Sequence, residues 1–278
     1  MLGEDGPMSS RRSSVLLAVL LVASFALAGC RSDSPGAAPA DPGTPTAAPA
    51  AAPRVGACYR LDVAAALEAT NSARPVGCSQ RHNAVTLMVG TIDPVVDGHL
   101  LAIDAAPVQR QIAARCRAAV DDHVGGSTET QRLSRVQAVW FSPTLADSDR
   151  GALWFRCDLV ISGTATAFSD LPRKTRGLLD RSGALDRYGT CGTAAPGTAG
   201  FTRVLCSAKH AWRARATIAL PAKAGYLGKA AGKAADSACR DVEARRATTS
   251  LRLRWSFEWP TKTQWQAGQR HGLCWTPD

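Results

Sequence analysis

Nine cysteines, eight of them arranged as two sets of four, constrain the fold of this 278-residue chain more than any other feature. The gaps between successive cysteines are 20, 38 and 41 residues in the first set and 15, 33 and 35 residues in the second. The two sets are Cys58, Cys78, Cys116 and Cys157, then Cys191, Cys206, Cys239 and Cys274. An even number of cysteines in an exported chain is typical of a disulfide framework. The spacing therefore predicts a fold held together by covalent bridges.

The ninth cysteine, Cys30, ends a segment that has the pattern of a bacterial lipoprotein leader. Two arginines precede an apolar run over residues 15–28, which is too short to span a bilayer comfortably and suits a signal peptide. The motif Leu-Ala-Gly-Cys at residues 27–30 is the one in which the leader is cleaved and the cysteine thiol is acylated. We therefore expect residues 1–29 to be a signal peptide and Cys30 to carry palmitate-type chains, of which two or more anchor stably. An ordinary signal peptide with a chance cysteine is the alternative, and the export route, Sec or twin-arginine, stays open.

Residues 30–54 follow the leader and consist almost entirely of alanine, proline, glycine, serine and threonine. Such a segment buries too little apolar surface to offset its ordering entropy, so we expect a disordered tether beginning at the acylated cysteine. Together these features predict a lipid-anchored protein on the extracytoplasmic face of the cell membrane.

Short motifs recur in the same order within the two cysteine sets. They are Gly-x-Cys, Cys-Ser-x-x-His, and Pro-Thr followed by glycine and cysteine eight and fourteen residues after the proline. They stand at 56–58, 78–82 and 143–157, and again at 189–191, 206–210 and 260–274. This order predicts an internal duplication. We expect a first unit over residues 55–168, a linker over 169–188 and a second unit over 189–278.

Hydrophobic periodicity predicts similar elements in both units. Apolar residues four apart indicate helices over 105–124 and around 227–242, and each stripe includes a cysteine. Alternating apolar residues indicate strands over 153–161, 212–220 and 251–259. The fold class is therefore α+β, with two tandem units that each pack one helix on a small antiparallel sheet held by two disulfides.

Eight cysteines allow 105 pairings, and three remain in each unit if the units close on themselves. We favour the sequential pairing, in which the first bridge of each unit closes a short loop and the second joins the helix to the last strand. That pairing is 58 with 78, 116 with 157, 191 with 206, and 239 with 274.

These motifs resemble the septum-formation domain family of actinobacterial exported and membrane proteins. The resembling features are Gly-x-Cys, Cys-Ser-x-x-His, a cysteine-bearing helix, and Trp-Phe-x-Pro-Thr, which stands here at residues 140–144. The resemblance implies two tandem copies over most of residues 55–278 and a place in the cell envelope near the division septum. It implies no known reaction. The glutamate that the family tends to place three residues after the histidine is Val85 in one unit and Arg213 in the other.

Two histidines offer the clearest alternative chemistry. His82 and His210 lie four residues after Cys78 and Cys206, which suits a zinc site only if those cysteines are free thiolates. An exported chain disfavours free thiols, so we expect each histidine to hydrogen-bond a turn beside a bridge. We accordingly predict neither a metal nor another cofactor.

Catalytic patterns are weak in this sequence. Ser79 and Ser207 lie three residues before a histidine, but no nucleophile elbow and no His-Glu-x-x-His helix accompanies them. We predict no catalytic residue. Four late tryptophans could stack on sugar rings, although they more commonly fill a core: Trp255, Trp259, Trp265 and Trp275.

The net charge of +10 is concentrated in the second cysteine set. Residues 58–168 hold 10 basic and 11 acidic residues (net −1), whereas residues 189–278 hold 14 and 5 (net +9). If two basic strands are neighbours, one face carries a candidate anion site made of Arg213, Arg215, Arg252 and Arg254. Such a patch attracts polyanions. Outside the membrane these are acidic lipid headgroups or anionic wall polymers, and nucleic acid is not an expected partner. A merely solvated basic face is the alternative.

The sequence thus favours a non-catalytic binding or scaffolding lipoprotein, linked to septum formation or cell-wall assembly and partnered by division or envelope proteins. One alternative is an enzyme or accessory factor acting on wall polymers. Another is a ligand-sensing lipoprotein with a groove between its units.

Overall fold

The computed structural model describes residues 48–221, 225–247 and 253–278. The predicted leader, Cys30 and most of the tether lie outside these ranges, as does Arg252. Within these ranges, no helix combines the length and the apolarity needed to cross a membrane.

The chain alternates short helices with antiparallel strands. The strands are β1 (Cys58–Tyr59), β2 (Ala84–Thr91), β3 (Val95–Val96), β4 (His99–Leu100), β5 (Val136–Phe141), β6 (Trp154–Ser162), β7 (Phe168–Ser169), β8 (Thr190–Gly192), β9 (Arg203–Leu205), β10 (Trp212–Ala219), β11 (Ser256–Glu258) and β12 (His271–Pro277). The α-helices are α1 (Ala106–Val124), α2 (Thr128–Leu133), α3 (Leu145–Asp149), α4 (Ala184–Tyr188), α5 (Ala230–Ala244) and α6 (Lys262–Gln266), and one 3-10 turn spans Ala65–Leu67.

Two five-stranded sheets organise these elements. The first has the order β1-β2-β6-β5, with β7 also paired to β6, and the second has the order β9-β8-β10-β12-β11. Every pair is antiparallel, as expected for sheets that a helix covers on one face. Each sheet has an irregularity at the same place, just before the residue that pairs with a buried cysteine: Met88 opposite Cys157, and Ala216 opposite Cys274.

Helix α1 matches the predicted helix to within one residue. The residues of the predicted stripe are all buried, at 2 % exposure or less: Val108, Ile112, Cys116, Val120 and Val124. Proline stands at the start of the helix, where its missing N–H costs nothing, and Gly125 ends the helix with φ of 71°. The prediction of α1 is therefore confirmed, and the stripe of α5 likewise buries Ala231, Ala235 and Cys239.

The four disulfides follow the sequential pairing, with Cα–Cα distances between 4.9 and 5.3 Å. Cys116 joins α1 to Cys157 on β6, and Cys239 joins α5 to Cys274 on β12. These four sulfur-bearing residues are fully buried. Each helix is thus fixed covalently to an interior strand of its own sheet, α1 to β6 and α5 to β12.

One prediction of local structure needs correction. Of the strand expected over 251–259, the described residues form only the three-residue strand β11, and residues 251 and 252 lie outside the described ranges. Residues 169–188, predicted as the linker, also contribute to the core of the first sheet. Five of them pack with Val120, Val124, Leu159 and Ile161: Leu171, Leu178, Leu179, Ala184 and Tyr188.

Helix α2 joins the two sheets. Leu133, at the end of α2, is 5 % exposed and packs against Trp212, Ala214 and Trp275 of the second sheet. The Glu129 carboxylate, from the same helix, accepts the backbone N–H of Thr217 at 3.1 Å. Residues before and after the predicted linker (169–188) therefore share a core. This packing places the edge of the first sheet beside the second sheet.

Candidate functional site

The two motif histidines occupy the same kind of turn. His82 Nδ1 lies 2.8 Å from the carbonyl of Gln80, and His210 Nδ1 lies 2.7 Å from the carbonyl of Ala208. His210 Nε2 also lies 2.6 Å from the carboxylate of Asp278. Since a carbonyl only accepts, each Nδ1 donates this hydrogen bond, and the ring fixes a turn next to a disulfide.

One cluster has the spacing of a metal site but not its chemistry. Ligand atoms of Cys191, His210 and Asp278 lie within 4.8 Å of one another. The sulfur of Cys191 is bonded to Cys206, whereas zinc takes a thiolate. His210 and Asp278 contact each other through Nε2 and the carboxylate, and Asp278 also forms an ion pair with Arg215. The cluster is therefore a network of hydrogen bonds and ion pairs around Asp278.

The sheet order does not supply the neighbouring strands on which the predicted arginine patch depends. Strand β12 lies between β10, which carries Arg213 and Arg215, and β11, which begins two residues after Arg254. Arg213 pairs with Asp186 at 2.5 Å, Arg215 pairs with Asp278, and Arg254 lies over the Trp212 ring, 5.4 Å from its centroid. Arg252 lies outside the described residues. The expected anion binding at this face stays a prediction, without the single open patch on which it rested.

A cleft of about 440 Å³ opens where the two sheets meet, and we call it the junction cleft. One side is formed by β5 and the turns beside it, and the other by residues of β9, β11, α6 and β12. The charged residues that line it are three arginines and one glutamate: Arg132, Arg135, Arg203 and Glu258. Its polar uncharged side chains come from both sheets: Ser134, Gln137, Ser162, Thr164, Thr190, Gln264, Gln269 and His271.

Arg135 is held firmly in this cleft by the edge of the first sheet. Its backbone N–H donates to the carbonyl of Tyr188 at 2.8 Å, and its own carbonyl accepts the N–H of Ser162 at 2.9 Å. Its Nε donates to the Ser162 carbonyl at 2.6 Å. Burial, with a smaller contribution from the nearby Arg203, lowers the pKa of Arg135 to about 10. The group is still charged at neutral pH, and among the described residues no carboxylate pairs with it.

The one acidic residue of the cleft is already neutralised. Glu258 forms an ion pair with Arg203 and accepts the indole N–H of Trp275 at 3.2 Å. With Glu258 and Arg203 cancelling, Arg132 and Arg135 leave the cleft with a formal charge of about +2.

His271 contributes polarity to the cleft rather than charge. Burial, with a smaller contribution from Arg132, lowers the pKa of His271 to about 4. The ring is therefore neutral at neutral pH and offers a hydrogen-bonding nitrogen.

Two further cavities adjoin the junction cleft through shared lining residues. One, of about 510 Å³, shares Arg132, Gln264, Gln269 and His271 and adds Arg117, Asp121 and Arg270. The other, of about 540 Å³, shares Val136, Gln137 and Val139 and adds Trp140 and Gln109. Through these shared residues the three cavities adjoin one another and form a longer depression.

Sequence reasoning missed the cleft arginines. Arg132 and Arg135 belong to the cysteine set with no net positive charge, so a charge count by segment hides them. The available signal was local: two arginines three residues apart flank Leu133, an apolar residue just before a strand. Without the partner sheet, that pattern indicates only a helix end.

The class of protein that this fold defines is a disulfide-stabilised α+β protein with two antiparallel sheets. A comparison with protein families matches residues 104–274 to the family described as septum formation, and this span is more than half of the chain. The chain therefore belongs to the septum formation family, as the cysteine and histidine motifs indicated. The match is one continuous span that crosses both cysteine sets. Neither the curated proteins nor the solved structures gave a match.

Proposed function

We propose that this protein is a non-catalytic binding or scaffolding lipoprotein of the cell envelope, which acts outside the membrane in septum formation. The observation that carries the proposal is the family match on a chain whose eight described cysteines all form disulfides. Structural disulfides persist in oxidising, extracytoplasmic compartments and are rare in the cytosol. The leader motif ending at Cys30 supplies the export signal and the acylation site that such a placement requires.

We also propose that the two sheets are tandem copies of one ancestral unit in an actinobacterial-type envelope protein. Three observations support the duplication. The strand orders β1-β2-β6-β5 and β8-β10-β12-β11 correspond one to one. The first cysteine of each set pairs with a valine, Cys58 with Val76 and Cys191 with Val204. A threonine caps the short helix before the last strand in both, Thr144 for α3 and Thr261 for α6.

The structural use of the motif histidines supports a non-catalytic role. In both, Nδ1 donates to a turn carbonyl beside a disulfide, so the ring holds the local backbone in place. A buried disulfide also fixes each long helix to its own sheet, α1 to β6 and α5 to β12. A cationic cleft between two such supported sheets suits recognition of an envelope component.

The proposal is tested by imaging the full chain, fused to a fluorescent protein that folds after export, in dividing cells. Cys30→Ala removes the acylated thiol, and Ser32→Ala is the matched control in the same tether. We expect the parent and Ser32→Ala to fractionate with membranes and to concentrate at the septum, and Cys30→Ala to leave the membrane fraction. Uniform signal around the whole envelope would contradict the septal role, and membrane retention of Cys30→Ala would contradict the lipid anchor.

A further inference from the structure

We propose that the junction cleft binds a segment of an anionic glycan, that is, a hydroxyl-bearing polymer with phosphate or carboxylate groups. This inference rests on the proposed function only for the location of the protein in the envelope, where such polymers occur. The binding itself is argued from the residues of the cleft.

The charge of the cleft selects an anion. Among the described residues that line it, the only acidic one is Glu258, which binds Arg203 and Trp275 and so leaves Arg132 and Arg135 available. The Nε of Arg135 donates to the Ser162 carbonyl, and its two terminal nitrogens have no acceptor among the described residues. An arginine fork held in place by the backbone on both sides suits bidentate binding of a carboxylate or phosphate. Because the fork is already ordered, little side-chain entropy is lost when the anion binds.

The uncharged residues of the cleft select a polyol rather than a bare ion. Gln137, Gln264 and Gln269 line it together with several hydroxyl groups and the neutral ring of His271. Amides and hydroxyls both donate and accept, which matches the hydroxyl groups of a sugar or glycerol chain. Trp259 and Phe168, both half-buried, supply apolar wall on which a sugar ring can pack.

The extent of the depression favours a polymer. The adjoining cavity of about 510 Å³ shares four lining residues with the cleft, Arg132 among them, and its further charged residues are two arginines, Arg117 and Arg270, and one aspartate, Asp121. Surplus positive charge therefore continues beyond the junction cleft, as repeating anionic units require. A lipid bilayer is the less suitable polyanion, because these arginines line a concave site and a bilayer presents a flat array of headgroups to exposed residues.

The test is a calorimetric titration of the full-length acylated protein, held in neutral phosphatidylcholine nanodiscs. The probes are poly(glycerol phosphate), hexagalacturonate, neutral maltohexaose and water-soluble dihexanoyl phosphatidylglycerol. The first two separate phosphate from carboxylate as the anion, and the last separates a lipid headgroup from a polymer. We expect at least one anionic polymer to bind and the neutral glycan not to compete. Added salt should weaken binding, because the contacts are charge-assisted.

The variants make the titration specific to the cleft. Arg132→Gln removes an exposed guanidinium, for which the structure gives no hydrogen bond or ion pair among the described residues, and should weaken binding about tenfold. Arg135→Gln should weaken it at least as much, and its melting temperature is measured alongside because Arg135 also bonds Ser162. Arg240→Gln, on the exposed face of α5 and outside the three cavities, makes the same charge change and should leave affinity unchanged.

Three results would overturn the inference: equal affinity in the Arg132→Gln and Arg240→Gln proteins, equal binding of maltohexaose, or binding of the soluble lipid alone. None of these depends on where the protein resides in the cell. Failure of the cleft is therefore distinguishable from failure of septal or membrane localisation.

Discussion

Replacing Leu133 by alanine should destabilise the whole protein, because this one side chain packs the end of α2 into the second sheet. The side chain is 5 % exposed and contacts Trp212, Ala214 and Trp275. Losing about three buried carbon groups costs ~2.4 kcal/mol at ~0.8 kcal/mol each. A residual cavity of roughly 40 Å³ adds ~1 kcal/mol. The free energy of unfolding should therefore fall by about 3 kcal/mol, which corresponds to a melting temperature about 6–12 °C lower for a folded region of this size.

The assay is urea unfolding of the full-length protein in detergent, followed by tryptophan emission, with a parallel calorimetric scan. Leu100→Ala is the matched control, because Leu100 is 78 % exposed on β4 and its loss should change stability by less than about 0.5 kcal/mol. The native emission of Leu133→Ala should also shift to the red, since two tryptophans lose an apolar neighbour. If the two variants unfold at the same urea concentration with unchanged emission, α2 does not join the sheets as described.

Three further predictions follow from single features of the fold. The Cys239→Ser, Cys274→Ser double variant, which opens a bridge across 35 residues, should lose about 3–4 kcal/mol in urea unfolding; an unchanged midpoint would contradict a clamping role. Burial lowers the pKa of His271 from 6.5 to about 4. The contribution of the neutral ring to the free energy of unfolding is therefore present above pH 6.5 and is lost as the pH falls through 4. His271→Gln should therefore flatten the melting profile over that window, and His99→Gln, at an exposed position, should not. Thr261→Ala breaks the capping box of α6 and should cost about 1 kcal/mol by the same urea assay.

Much of the fold could be predicted because its strongest signals are local. The five stripe residues of α1, spaced four apart, are all buried, and Gly125 ends the helix where the sequence indicates. The sequential disulfides also follow from local order, since each first bridge closes a loop of 15 or 20 residues. Hairpin β3–β4 and helix α2 were not predicted, because two-residue strands and a six-residue helix carry too little periodicity.

The candidate site could not be predicted from the sequence, because it depends on which strands are neighbours. Arg213 and Arg254 were grouped on the assumption that their strands pair, but β12 lies between β10 and β11, the strand that follows Arg254. Strand order within a sheet is set by long-range pairing, which alternation along a single strand does not reveal. Arg135 and Glu258 line the same cleft from opposite sheets, although 123 positions separate them in the sequence. The packing of Leu133 on the second sheet and the contact of Glu129 with Thr217 help to bring the two sheets together.

The most direct test of the account is a thiol count on the protein isolated from membranes. Alkylation without reduction, followed by intact mass measurement, should add no label, and alkylation after reduction should add eight. The mass should also include acyl chains on Cys30, which leave that sulfur blocked in both samples. Eight labelled thiols before reduction would contradict an exported fold clamped by disulfides, and a ninth reactive thiol after reduction would contradict the lipid anchor.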